Sequence, residues 1–291
     1  EPGDKVIVCI NGVFGNRMKE NVTRFGGEAV VVEDKWGEAV TLDKVEQALK
    51  DNPDTKIVAF VHAETSTGAQ SDARAICALA TQYGCLNIVD TVTSLAGSEL
   101  RVDEWGIDAI YSGTQKCLSA PPGISPISFS ERAIHKLSNR KTPVTSWFLD
   151  LNLVMGYWGK AAKRAYHHTA PVNTLYGLHE SLVMLMDEGL ENAWARHTAN
   201  HEDLKYRLES MGISFVVNES DRLPQLNTVW IPKGVDDAAV RSTLLNDYNI
   251  EIGAGLGDLA GKVWRIGLMG YSARKENVLL ATAALKEVLS A

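Results

Sequence analysis

Cysteine is scarce in this chain of 291 residues, and the four present, Cys9, Cys77, Cys85 and Cys117, fall in neither a C-x-x-C pair nor a metal-ligand spacing. Each lies within or beside an apolar segment, so reduced, buried thiols are expected in place of disulfides or a zinc site. His167 and His168 add no metal site, because adjacent residues on a strand point to opposite faces. Basic clusters are missing as well. The 29 Lys and Arg are scattered among 36 Asp and Glu for a net charge of -7, which argues against a nucleic-acid partner. Apolar runs are short: Ile57 to Val61 is strand-sized and far below a membrane span, and no charged-then-apolar leader opens the chain. Leu289-Ser290-Ala291 does not match the peroxisomal tripeptide, so a cytoplasmic location is expected.

What is present is an alternation. Strand patterns at Val6 to Ile10, Ala29 to Val32, Ile57 to Val61 and Leu86 to Val89 are separated by helix patterns at Arg17 to Phe25, Leu42 to Lys50 and Asp72 to Tyr83. Strands apolar throughout and interleaved with helices predict a mostly parallel α/β sheet covered on both faces. Ala73, Ile76, Ala80 and Tyr83 form one helical stripe, with Ser71 as a candidate cap. Past Ala109 to Tyr111 the rhythm gives way to a loop-rich stretch holding Trp147, Phe148, Tyr157, Trp158, Tyr166 and Tyr176, a composition suited to packing under another subunit. Beyond Gly189 a long amphipathic helix is expected, then strands near Phe215, Val229 and Val263 and helices near Val240 and Leu279. The length exceeds what one core usually serves, so two domains are expected: 1–188, the larger, and 189–291, a smaller α+β unit.

Ligands of open α/β sheets bind at the carboxyl ends of the strands. Four candidate groups fall at such ends: the loop Asn11-Gly12-Val13-Phe14-Gly15, the loop Thr65-Ser66-Thr67-Gly68, Asp90, and the turn Gly113 to Lys116. A lysine amine can bond an aldehyde as a Schiff base, and a buried carboxylate can keep a pyridine nitrogen protonated; pyridoxal phosphate needs both. Asp90 leaves a buried strand directly, which is costly unless a cation or donors meet it, although a turn or N-cap role fits the same residue. Phe14 sits between glycines where an aromatic can stack on a flat ring, or equally pack in the core. Thr65 and Gln115 offer a hydroxyl and an amide. Arg265, in Val263-Trp264-Arg265-Ile266-Gly267, shares a strand face with Val263 and Gly267; an inward guanidinium there wants a carboxylate, from a substrate or from an internal salt bridge.

With Val89-Asp90-Thr91-Val92-Thr93-Ser94 and Ser112-Gly113-Thr114-Gln115-Lys116-Cys117-Leu118-Ser119-Ala120-Pro121-Pro122-Gly123, the chain closely resembles the alanine-glyoxylate and serine-glyoxylate aminotransferases, class V, fold-type I enzymes that use pyridoxal 5'-phosphate. The likeness extends to His62-Ala63-Glu64-Thr65-Ser66-Thr67-Gly68, Tyr166-His167-His168-Thr169-Ala170-Pro171 and Lys262-Val263-Trp264-Arg265-Ile266-Gly267. It implies that Lys116 bonds the cofactor aldehyde and carries the α-proton, and that Asp90 pairs with the pyridine nitrogen. Val92 would lie on one ring face and Phe14 on the other, where the family often has tryptophan. By the same resemblance Thr65 approaches the ring hydroxyl, Gln115 the phosphate and Arg265 the substrate carboxylate, while Tyr166 and Thr169 reach the phosphate of a neighbouring subunit in a homodimer. The implied reaction moves the amino group of alanine or serine to glyoxylate, giving glycine and pyruvate or hydroxypyruvate.

One departure stands out: the family's glycine-rich phosphate loop lies ahead of the segment with which this chain begins, so an N-terminally incomplete large domain is expected. Two rivals remain. A cysteine desulfurase shares the fold but resembles this family with histidine before the lysine, where position 115 is Gln. A non-catalytic member would keep the fold as a scaffold.

Overall fold

The computed structural model describes residues 1–158 and 165–290. In chain order the first half runs β1 (Lys5–Ile10), α1 (Val13–Arg24), β2 (Glu28–Glu33), α2 (Leu42–Asp51), β3 (Ile57–Val61), β4 (Ala63–Glu64), β5 (Ala69–Gln70), α3 (Ala73–Gln82), β6 (Leu86–Asp90), β7 (Ala109–Tyr111) and β8 (Ile127–Phe129). The second half runs α4 (Glu131–Ser138), α5 (Leu151–Trp158), α6 (Val172–Glu188), α7 (Leu190–Ser210), β9 (Leu226–Trp230), α8 (Asp237–Tyr248), β10 (Gly253–Ala254), β11 (Val263–Gly267) and α9 (Lys275–Ser290).

The central sheet has the order β2-β1-β3-β6-β7-β8, parallel except for the last pair. Strand alternation sorts its residues onto two faces. Ile7 and Cys9 of β1 join Val58 and Phe60 of β3, over which α2 and α3 lay Val45, Leu49, Ile76 and Ala80. Val6, Val8 and Ile10 join Ala59 and Val61 on the opposite face, with Met18 of α1. The doubly covered, mostly parallel sheet expected from the alternation is therefore present, and all four cysteines are buried free thiols. Burial pushes the Cys77 thiol up to about 12, so it stays protonated and inert.

A second buried cluster forms where α7, α8 and α9 place Leu204, Leu208, Val240, Leu244, Val278 and Leu285 against Val229, Trp264 and Ile266 of the antiparallel sheet β10-β11-β9. Phe215 makes only a single bridge to Val229 and no strand.

Three local expectations are corrected. Helix α1 starts at Val13, four residues before Arg17, so Phe14 lies in its first turn. Ser71 is not the cap of α3: Asp72 accepts from the Ala75 N–H at 2.9 Å, and the Ser71 hydroxyl instead accepts from Val40 N, joining the two loops. The stretch around 147–176 contains α5 and the first turns of α6, and His167 and His168 lie on no strand; their Nδ1 atoms are 2.8 Å apart and the His167 ring stacks on Trp147. Helix α6 runs for 17 residues without one fully buried residue; Leu175, Leu178, Leu182 and Leu185 recur at helical spacing, and Leu178 and Leu185 pack partly buried against Ala96, Cys117 and Leu118. Among the described residues no helix is long and apolar enough to cross a membrane, and no group of three or more His, Cys, Asp or Glu is placed to hold a metal.

Candidate active site

Strand β1 has β2 on one side and β3 on the other, so the chain's direction of winding reverses there and a crevice opens past the carboxyl ends of β1 and β3. The loops leaving β1, β3, β6 and β7 meet beside it. Asp90 closes β6, nearly buried, with Oδ1 accepting from Val92 N at 2.9 Å and Oδ2 from the Tyr111 hydroxyl at 2.8 Å. Burial raises its pKa, and these two donors only partly offset that. A carboxylate in that position is stabilised by a cation beside it. The bond to Val92, two residues on, also shapes the turn after β6, so the turn role and the charge role coexist.

Lys116 sits half-buried past β7. Burial, and then the charge of Arg265, lower its pKa and favour the neutral amine that a nucleophile or base requires. Among the described residues its amine makes no hydrogen bond and no ion pair. Arg265 arrives from β11: its Nε donates to Ala254 O at 2.7 Å and its Nη1 to Thr65 O at 3.1 Å, which ties the three-stranded sheet to the loop after β4. Among the described residues it has no ion-pair partner, so the internal salt bridge considered from sequence is not what holds it.

Thr65 is buried, and its hydroxyl has no hydrogen bond among the described residues. Val92 is half-buried, and Gln115 is exposed next to Lys116. The Phe14 ring packs against the Val6–Val61 cluster and lies 4.9 Å from the Arg17 guanidinium. Asp90, Val92, Thr65, Lys116 and Arg265 are thus linked through neighbouring strand ends. Tyr166 and Thr169 are not brought to them: both are exposed, and their hydroxyls bond each other at 2.8 Å.

Sequence reasoning missed several residues that build this crevice. Tyr111 holds the second oxygen of Asp90, and burial and that acid together push its phenol well above the usual range, so it remains a donor. Glu64 is fully buried beneath the Phe14 and Thr65 loops. The lysine loop is latched from behind: Ser119, at φ 58°, accepts from Tyr271 N at 2.7 Å, Gly270 N donates to His197 Nε2 at 2.9 Å, and the Ser181 hydroxyl bonds Leu118 O. A side chain at Gly270 would collide with Ser119 and with the Cys117 carbonyl. A buried Glu directly after an apolar strand was a readable signal for one of these; the latch was not readable, because it joins segments about 150 residues apart.

Comparison with known proteins gives the family of the chain. A family model described as aminotransferase class-V matches residues 1–277. The alanine-glyoxylate aminotransferase of Callithrix jacchus is 41% identical over 99% of this chain and 70% of its own length. The (S)-ureidoglycine-glyoxylate transaminase of Bacillus subtilis is 38% identical over 99% of this chain and 73% of its own. Among solved structures, the alanine-glyoxylate aminotransferase from Nostoc sp. superposes with a TM-score of 0.96 at 48% identity, covering 99% of this chain and 76% of that one.

Proposed function

The chain belongs to the class-V aminotransferases, and from that premise we propose that it moves the amino group of a small amino acid, alanine first, to glyoxylate. Glyoxylate appears in the names of both the alanine and the ureidoglycine relatives, so the acceptor rests on more than one kind of relative and the donor on one. Enzymes of this kind work with pyridoxal 5'-phosphate, and the residues present suit it. A half-buried amine without a partner, a buried acid with raised pKa and a buried hydroxyl without a bond stand at adjoining strand ends. In this reading Lys116 holds the aldehyde, Asp90 the ring nitrogen, Thr65 and Gln115 the polar substituents, and Phe14 and Val92 the two ring faces.

When bound, that cofactor supplies the electron sink which makes loss of an α-proton accessible. The chain's own groups do the rest. Arg265, without an ion pair among the described residues, would present the remaining donors of its fork to the carboxylate shared by donor and oxo acid. The Lys116 amine, whose pKa burial and then the charge of Arg265 lower, would take the α-proton and return it on the other side of the exchange. Asp90, held in place by Val92 N and the Tyr111 hydroxyl, would keep the ring nitrogen of that cofactor protonated. Alanine then leaves as pyruvate and glyoxylate as glycine, in two half-reactions with ping-pong kinetics. A scaffold role leaves the Lys116 amine, unpartnered among the described residues, without a purpose.

The homodimer and the division into 1–188 and 189–291 belong to the same reading. Trp147, Phe148, Tyr166 and Tyr176 are exposed in one segment, as an interface would have them, and Tyr166 and Thr169 would serve the site of the other copy. Gly189, at φ 86°, marks the turn from α6 into α7 and is the proposed boundary. The observation that carries the function is Lys116, unpaired among the described residues, its pKa lowered by burial and by the charge of Arg265, one strand end from Asp90. The full chain supplied with pyridoxal 5'-phosphate, alanine and glyoxylate should form pyruvate and glycine in equal amounts. No product with alanine, serine or ureidoglycine as donor overturns the proposal.

A further inference from the structure

Helix α1 carries Phe14 in its first turn, yet its own sequence provides no cap. Gly12 stands at the N-cap position without a side chain, and no acid lies in the first turn. The first N–H groups of a helix have no partner inside it and must find one elsewhere. Here they find it some 50 residues away. Glu64 Oε2 accepts from Phe14 N at 3.1 Å and from Gly15 N at 3.2 Å. Its Oε1 accepts from Ser66 N at 3.0 Å and from the Ser66 hydroxyl at 2.5 Å, and that hydroxyl in turn accepts from Val13 N at 2.9 Å. Three consecutive helix N–H groups are therefore satisfied by Glu64 and Ser66.

Glu64 is 0% exposed, and four donors converge on its two oxygens. An ionised carboxylate accepts all four; a protonated acid would present a donor of its own to one of them. The positive end of α1 favours the same charge state. Burial works in the opposite direction and raises the pKa of the group, so the donors and the helix end are what keep a charge there. Gly12 is required for this approach, because a Cβ at position 12 would collide with Glu64 and Ser66.

The clamp has consequences on both sides. Toward α1 it fixes the backbone of Phe14. Toward β4 it fixes Thr65, the next residue, whose carbonyl oxygen accepts from Arg265 Nη1 at 3.1 Å. We propose that Glu64 is a positioning residue of the transamination site, which rests on the function proposed above: as a buried carboxylate capping α1 from β4, it sets Phe14, Thr65 and Arg265 at fixed places around one cofactor and substrate. It touches neither cofactor nor substrate and acts through these three residues.

The test uses the full chain, with Glu64→Gln and Ser66→Ala. Glutamine keeps the shape but turns an NH2 group toward N–H donors that need an acceptor, which costs charge-assisted bonds. Expected is a dissociation constant for pyridoxal 5'-phosphate raised about ten- to a hundred-fold, with weaker visible circular dichroism of the bound cofactor and a raised KM for alanine. Ser66→Ala, which frees only Val13 N and one bond to Glu64, should shift the same readouts in the same direction by less. Both variants should still be labelled at Lys116 when the bound cofactor is reduced with borohydride. Wild-type affinity and dichroism in a folded Glu64→Gln overturn the proposal; if that variant does not fold, wild-type values in Ser66→Ala overturn it. Failure of the wild-type chain itself to be labelled at Lys116 is a different result and refutes the proposed function, not the role of Glu64 within it.

Discussion

The strand-end crevice and the aromatic segment from residue 147 to 176 stand in opposite states. In the crevice the two acids are buried and met within the chain: Asp90 by Val92 and Tyr111, Glu64 by Phe14, Gly15 and Ser66. In the aromatic segment large side chains face outward, with Trp147 60%, Tyr166 74% and Tyr176 72% exposed. Exposed apolar surface of that extent marks an interaction site, whereas satisfied buried charge marks an organised one. The two acids are thus held by the fold of a single chain, whereas the aromatic segment is the surface on which the proposed second copy would pack.

Substitutions in the two regions should accordingly fail in different ways. The largest loss is expected for Lys116→Ala, about a millionfold in kcat on the scale of removing an essential covalent group, with the fold intact by circular dichroism. Asp90→Asn keeps the shape and the bond from Val92 but removes the charge, and should lower kcat/KM about a hundred- to a thousand-fold in a steady-state assay. The compact region should also impose a pH dependence. His62 is fully buried against Trp105, and burial lowers its pKa to about 4. The unfolded chain takes up that proton near pH 6.5 and the folded chain does not, so stability present above pH 6.5 is lost as the pH falls toward 4. The loss should be about 3 kcal/mol, read from urea midpoints across that range, and a His62→Gln variant should lack this part of it. Smallest is the effect on the other region: Trp147→Ala should weaken self-association by about 2 kcal/mol, seen in sedimentation, while leaving the pH dependence of stability unchanged. If Trp147→Ala instead destabilised the monomer as much as His62 protonation does, the contrast between the regions would be lost.

The large-domain fold was legible because its strands are apolar on both faces and its helices carry stripes; Ile57–Val61 and Ala73–Gln82 have the bounds or nearly the bounds that periodicity suggests. Asp90 and Arg265 were legible because a charged residue leaving or lining an apolar strand breaks the local pattern, and Lys116 because it sits in a glycine-flanked turn of a motif that resembles the family. The start of α1 was not, since its cap is supplied by Glu64 and Ser66 from a distant loop and nothing near Gly12 announces it. Helix α6 was not, although Leu175, Leu178, Leu182 and Leu185 recur at helical spacing, because the aromatic stretch before it makes the region read as loop-rich. The first miss has a physical cause: the partner that stabilises the start of α1 lies about 50 residues away in sequence.

The most direct test is borohydride reduction of the full chain after incubation with pyridoxal 5'-phosphate, followed by peptide mapping by mass spectrometry. One phosphopyridoxyl group on the peptide containing Lys116, absent in Lys116→Ala, is the predicted result. Label on a different lysine, or none while the protein is folded, would contradict the placement of the cofactor between Lys116 and Asp90.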